Sequence, residues 1–162
     1  MASDSQLTLH QTMSQTLSKF LNAFLEVSAA NDTTLFSTTL DPGCLRFLRP
    51  TSLLTKMGAP TDLAMDVTTY EKILEKEMHV FKTISGDFSD VSIDTTAKTG
   101  AATAVYVNRL VDGQEFKLEF SWHVAFAEDG AKITKVVQWC DAIGMLEFQA
   151  AIAAVANSGG SE

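Results

Sequence analysis

The chain has 162 residues, 46% hydrophobic and 20% charged, with a formal net charge of −8. That length bounds a single domain, 1–162, with room for a real core, and the acidic balance excludes nucleic-acid backbone, which is bound by clustered Lys and Arg. With no run of about 18 apolar residues, no secretory leader pattern and two distant cysteines, Cys44 and Cys140, the expectation is a cytoplasmic protein with reduced thiols and no membrane contact.

Residues 1 to 6 read as a frayed tail, placing the ordered core at about 7–156. From Leu7 to Ala30 the periodicity is helical, with Leu17, Phe20, Leu21, Phe24 and Leu25 on one face. Thr33–Ser37 predicts a short helical turn, broken by Asp41-Pro42-Gly43. Cys44–Leu48 reads as a short strand ended by Arg49-Pro50, and Thr51–Val67 as an irregular segment long enough to be a binding lid.

A second helix is expected from Thr68, where Thr68-Thr69-Tyr70-Glu71 fits a capping box. Its buried face is Tyr70, Ile73, Leu74, Met78 and Phe81, and Ser85-Gly86-Asp87 is its expected stop. Four strands follow: Phe88–Thr96, Thr103–Val111, Gln114–Phe126 and Lys132–Asp141. In the third of these Phe116, Leu118, Phe120, Trp122, Val124 and Phe126 take every second position, the mark of a half-buried strand. Ala142–Ala156 reads as a closing helix and Asn157–Glu162 as a tail.

HExxH, GxGxxG and GxSxG are absent, so no metal, phosphate-loop or nucleophile-elbow site is indicated. Arg46, between apolar neighbours on a short strand, can hold an oxyanion or polarise a carbonyl, or make a structural ion pair with one of the twenty acidic residues. Asp141 can act as a general acid or base beneath Trp122 or Trp139, or simply cap the last helix. Gln138 faces away from Val137 and Trp139, towards substrate or towards water. Phe116, Phe120 and Trp122 line either a cavity or a solid core, and Tyr106 donates its phenol to a ligand or is buried and satisfied. His79 and His123 read as surface residues, and the two cysteines as small packing groups.

Three stretches carry a resemblance: Asp41-Pro42-Gly43-Cys44-Leu45-Arg46 before Pro50-Thr51-Ser52-Leu53, Tyr70 opening a helix, and Glu128–Ile133 followed by Gln138-Trp139-Cys140-Asp141. Jointly and in order, over about residues 15 to 152, they resemble the SnoaL-like group of the nuclear-transport-factor-2-like superfamily, and within it the fungal members that tailor natural products. The resemblance implies an α+β cone: a strongly curved antiparallel sheet wrapped around N-terminal helices, with a C-terminal helix and a pocket at the wide end. It also implies a homodimer, no cofactor, and isomerisation, cyclisation or rearrangement of a small hydrophobic polyketide, meroterpenoid or alkaloid intermediate. Catalysis then falls to Arg46 and Asp141, and substrate contact to Gln138, Trp122, Phe120, Phe116, Tyr106 and Tyr70. Gln138 stands where several such relatives carry Glu, and Phe116 or Phe120 where they often carry Tyr. A non-catalytic ligand carrier, a dimerisation module, a dehydratase and an epoxide hydrolase are the alternatives on the same scaffold.

Overall fold

The computed structural model describes residues 4–158. Its elements are α1 (Asp4–Ala30), a 3-10 turn (Thr33–Ser37), β1 (Leu40–Arg49), α2 (Thr51–Lys56), β2 (Ala64–Asp66) and α3 (Val67–Glu77), then β3 (Phe81–Asp94), β4 (Thr99–Leu110), β5 (Glu115–Phe126), β6 (Ile133–Cys140) and α4 (Ala142–Ser158). The six strands form one sheet in the order β2-β1-β6-β5-β4-β3. β3 to β6 form an antiparallel meander. β1 runs antiparallel to β2 but parallel to β6, so the sheet is mixed where an antiparallel one was expected. The expected α+β architecture, helices against one face of the sheet and a helix at the C-terminal end, is present.

Alternation decides which face is covered. Ala102, Ala104, Tyr106 and Asn108 of β4 and Leu118, Phe120, Trp122 and Val124 of β5 are buried on one side. Small residues stand opposite large ones, Ala102 against Trp122 and Ala104 against Phe120, so the rings lie over their neighbours without crowding. The stripe of α1 packs here: Met13, Leu17 and Phe20 have no exposed surface, and Phe20 meets Trp122 edge-on at 5.1 Å. Burying side chains of this size contributes about 1.5–3 kcal/mol each.

Several boundaries differ from the sequence expectation, each for a local reason. The Asp41-Pro42-Gly43 breaker falls inside β1, where an irregularity between Leu40 and Leu45 absorbs it. Thr51–Val67 is largely structured: Leu53 and Leu54 bury one side of α2, and Gly58, at φ 72°, closes it in the left-handed conformation with Ala59 N–H donating to the Leu54 carbonyl. The cap of α3 is Asp66, whose carboxylate accepts from Thr69 N–H at 2.7 Å, and not the Thr68 hydroxyl. α3 ends at Glu77, well before Ser85-Gly86-Asp87, because Phe81 pairs with Leu110 and packs on Phe148 as the start of β3. The expected tails overlap helix at Asp4–Gln6 and Asn157–Ser158, and their remaining positions lie outside the described residues.

The β5–β6 turn locks α1 in place. Gly130 adopts φ 73°, its carbonyl accepts from the Thr16 hydroxyl at 2.8 Å, and a Cβ there would stand 2.6 Å from Met13 Cγ. Gly130→Ala is expected to lower the unfolding free energy by about 1–3 kcal/mol, through strain at positive φ and displacement of Met13. Urea denaturation measures this, and a change within experimental error would show that the turn relaxes at no cost.

Candidate functional site: an apolar cavity with two polar poles

α1 crosses the inner face of the sheet as far as β3, where the Ser28 hydroxyl accepts from Thr83 N–H, and presents Phe24 to a space beside it. Past Phe24, the sheet, α2, α3 and α4 enclose a cavity of about 250 Å³. Its walls are mostly aliphatic and aromatic, contributed by Leu54 and Met57 near α2, Leu74 of α3, Phe120 of β5 and Phe148 of α4. A sphere of that volume is about 8 Å across, room for a compact one- or two-ring molecule.

The first polar pole comes from β1 and β6. The parallel register sets Arg46 beside Val136 and Leu48 beside Gln138, so Arg46 and Gln138 are diagonal neighbours on the inner face. Arg46 is 3% exposed. Its Nη1 donates to Gln138 Oε1 at 2.9 Å, and Nη2 has no hydrogen-bond partner among the described residues. Aromatic rings take the place of a carboxylate: the guanidinium carbon lies 3.8 Å from the Tyr70 ring centroid, 4.8 Å from Phe36 and 5.4 Å from Trp122. Among the described residues the ion pairs are Lys98–Glu128 and Arg109–Glu115, neither involving Arg46. Burial pulls the Arg46 pKa below its ordinary value, while burial pushes the Tyr70 phenol up and the Arg46 charge draws it partly back. A guanidinium nevertheless stays protonated at neutral pH, so a positive charge without a counter-charge lies one layer behind the cavity wall. Gln138 and Tyr70 are the groups between it and the cavity.

Glu77 is the centre of the second pole. It follows Tyr70 by seven residues, two turns further along the same face of α3, and lines the cavity with Gln149 of α4. Burial pushes its carboxyl above the ordinary value, and a hydrogen bond with Gln149 draws it partly back. Beside it, the buried Thr83 hydroxyl donates to Asn108 Oδ1 at 2.7 Å, and both residues also line the cavity.

Of the residues expected from sequence, Tyr70, Tyr106, Phe120 and Gln138 line the cavity, and Arg46 lies behind Tyr70 and Gln138. The Tyr106 hydroxyl is turned away, donating to the Leu21 carbonyl at 2.7 Å. Trp122 is wholly buried beneath Phe120 and Phe116 packs on Phe148; neither reaches the cavity. Asp141 is exposed and does not line the cavity either. Its Oδ1 accepts from the backbone N–H groups of Ile143 at 3.1 Å and Gly144 at 3.2 Å, the geometry of a helix cap, and Trp139 beside it is 45% exposed. Cys44 and Cys140 are raised by burial to about 11 and about 12, which keeps both as neutral thiols.

Glu77 was missed by the sequence reading, although a signal exists. Tyr70, Leu74 and Glu77 are spaced i, i+4, i+7, so a carboxylate interrupts an apolar stripe. Placing Phe81 on the same helix concealed the interruption.

No protein-family profile and no curated protein sequence matches the chain. Solved structures do. The pinacolase BvnE from Penicillium brevicompactum superimposes with a TM-score of 0.74 at 12% identity, over 91% of this chain and 99% of that one. PrhC from Penicillium brasilianum gives 0.67 at 15% identity over 88% and 91%. An NTF2-like protein of unknown function from an Exiguobacterium species gives 0.58 at 12% identity over 78% and 98%. The chain therefore has the NTF2-like fold. No helix among the described residues is long and apolar enough to cross a membrane.

Two expectations follow from this geometry. Asp141→Ala removes a cap and should cost about 1 kcal/mol in urea denaturation without weakening ligand binding in the cavity; loss of binding would return Asp141 to the site. Glu77 has a folded-state pKa above the ordinary 4.5, so its contribution to stability is complete below that value and is lost as pH rises through the folded one. Glu77→Gln, neutral throughout, should therefore melt above the parent at neutral pH, with the difference shrinking as pH falls below 4.5. A melting difference independent of pH would contradict the assignment.

Proposed function

We propose that this chain is a cofactor-independent tailoring enzyme of secondary metabolism, acting on a hydrophobic cyclic intermediate that bears an oxygen function. The reaction is an isomerisation, cyclisation or skeletal rearrangement of a polyketide, terpenoid or alkaloid intermediate. One observation carries the reading: a buried amide at the wall of an apolar cavity, Gln138, is hydrogen-bonded on its far side to a guanidinium that has no carboxylate partner among the described residues. Because Gln138 Oε1 is occupied by Arg46, its NH₂ is the end left for substrate, and the charge behind it polarises the amide so that it donates more strongly. Such a group binds a neutral carbonyl moderately and an oxygen gaining negative charge much better, which is the differential that lowers a barrier.

The apolar walls supply the rest. A ligand seated against them displaces water, so the dipole at Gln138 then acts through a lower dielectric, and they hold a flexible ring system in one conformer before bonds change. Arg46 is in this account a positioning and polarising residue, reached by substrate through Gln138 and the Tyr70 ring. The fold likeness to a pinacolase supports rearrangement chemistry for a cavity of this shape. The half-buried Val105 and Val107 on the other face of β4 support association of two copies through the outer side of the sheet.

A pair of ligands differing in one oxygen tests the reading. β-Tetralone and tetralin have nearly the same apolar body, and only the ketone can accept from Gln138. Titration followed by intrinsic fluorescence in a Trp139→Phe background, which leaves Trp122 as reporter beneath Phe120, should show β-tetralone bound about tenfold more tightly, the scale of one hydrogen bond with ionic support. Gln138→Leu should abolish the preference and Arg46→Met should reduce it. Equal affinities in the parent protein, or no saturable binding of either compound, would remove the basis for an oxygen-directed enzyme.

A further inference from the structure

We propose that Glu77 is the proton-transferring residue of this cavity, that Gln149 positions it, and that the substrate is a carbonyl compound whose activated C–H bond is the acid. This deepens the reading above and rests on it. Among the described residues Glu77 is the one carboxylate lining the cavity, and it stands on the same helix face as Tyr70, which borders the oxygen-binding pole. It has no ion-pair partner among the described residues. A structural role is poorly served by such a residue: Leu or Met at that point of the stripe would pack against the cavity without the cost of a desolvated carboxylate. Gln149, reaching in from α4, lines the same cavity, and its amide draws the raised Glu77 carboxyl partly back towards the ionised form.

The two poles then divide one reaction. The Glu77 carboxylate takes the proton from a carbon next to the carbonyl, or from one conjugated with it. The C–H electron pair passes into the enolate, whose oxygen carries the negative charge against the Gln138 amide. Protonated Glu77 returns the proton to the same carbon or to another position of the conjugated system, leaving the substrate isomerised or exchanged. No electrons are gained or lost overall, and no co-reactant is required. The titratable groups facing the cavity are Tyr70 and Glu77 of α3 and Tyr106 of β4, with Arg46 of β1 behind; α2, β3, β5 and α4 contribute none to its lining. Both tyrosines have phenol values raised by burial, so Glu77 is the group that changes charge over the acid-to-neutral range.

Proton exchange on bound β-tetralone reads this directly. The parent protein in deuterium oxide should accelerate loss of the α-proton signals in the NMR spectrum, with a rate that rises with pH through a midpoint above the ordinary glutamate value of 4.5. Glu77→Gln should lower that rate by about 100-fold or more, and Glu77→Asp should recover part of it. Gln149→Met should move the midpoint upwards, because the lost hydrogen bond favours the carboxylate; a purely packing role for Gln149 would leave the midpoint in place. Asp141→Asn should exchange at the parental rate, and loss of exchange in that variant overturns the proposal. So does exchange in Glu77→Gln within about threefold of the parent, a span far below a general-base contribution. If β-tetralone binds with the Gln138-dependent preference and Glu77→Gln still exchanges normally, the inference falls and the oxygen-directed reading stands. If β-tetralone does not bind at all, both fall.

Discussion

A single positive charge, buried without a counter-charge among the described residues, organises this molecule. Moving a guanidinium out of water costs several kcal/mol even after relaxation, and Arg46 recovers that from one amide oxygen and from ring faces on four separate elements, Phe20 of α1 among them. Phe36 reaches it from the 3-10 turn, Tyr70 from α3 and Trp122 from β5. Cation–π contacts of this kind are worth about 2 kcal/mol or more when desolvated. They hold the charge in place but leave it electrically uncancelled, whereas a carboxylate would neutralise it. The difference matters to anything that develops negative charge in the adjoining cavity, since an uncancelled field extends through Gln138 and a neutralised one would not.

The cavity itself lies where α1 gives way to α2, α3 and α4 as the cover of the sheet. α1 presents a continuous stripe from Met13 to Val27, and where that stripe covers β5 and β6 the interior is close-packed, with Trp122, Ile133 and Val136 fully buried. Towards α3 and α4 the cover of the sheet passes from α1 to α2, α3 and α4, whose Leu54, Tyr70, Leu74 and Phe148 line the cavity without filling it. Polar groups at that end therefore come from two directions, the inner face of β6 and the inward faces of α3 and α4. Gln138 and Glu77 thus enter the lining from the sheet and from a helix respectively.

Much of this was readable in the chain. The six-residue alternation of β5 and the stripe of α1 are long, strongly periodic signals, and both hold because one side of each element is buried and the other is not. Arg46 and Gln138 could be singled out as polar residues facing inward, though only the parallel register between β1 and β6 brings them into contact. Local pattern carries no information about that pairing. Asp141 illustrates the reverse: an Asp at a strand-to-helix junction has a sufficient local use, and the cap geometry, with Gly144 leaving room where a Cβ would stand 2.5 Å from Oδ2, shows that use. Glu77 was hidden by a boundary, because Phe81 fits a helical period and a strand equally well until its partner Leu110 is known.

The parallel placement of β1 has a consequence for how the molecule assembles. β3 to β6 are joined by short turns and can zip up from neighbouring segments, but β1 must find β6 across some ninety residues, as the separation of 92 between Arg46 and Gln138 records. Contacts of that range are entropically late. The charged pole is thus among the last features to exist. A chain that has formed its meander but not seated β1 has an open concave face and no polarised amide. Functional competence in this protein is in that sense a report on topological completion, available only to a molecule whose first strand has closed the sheet.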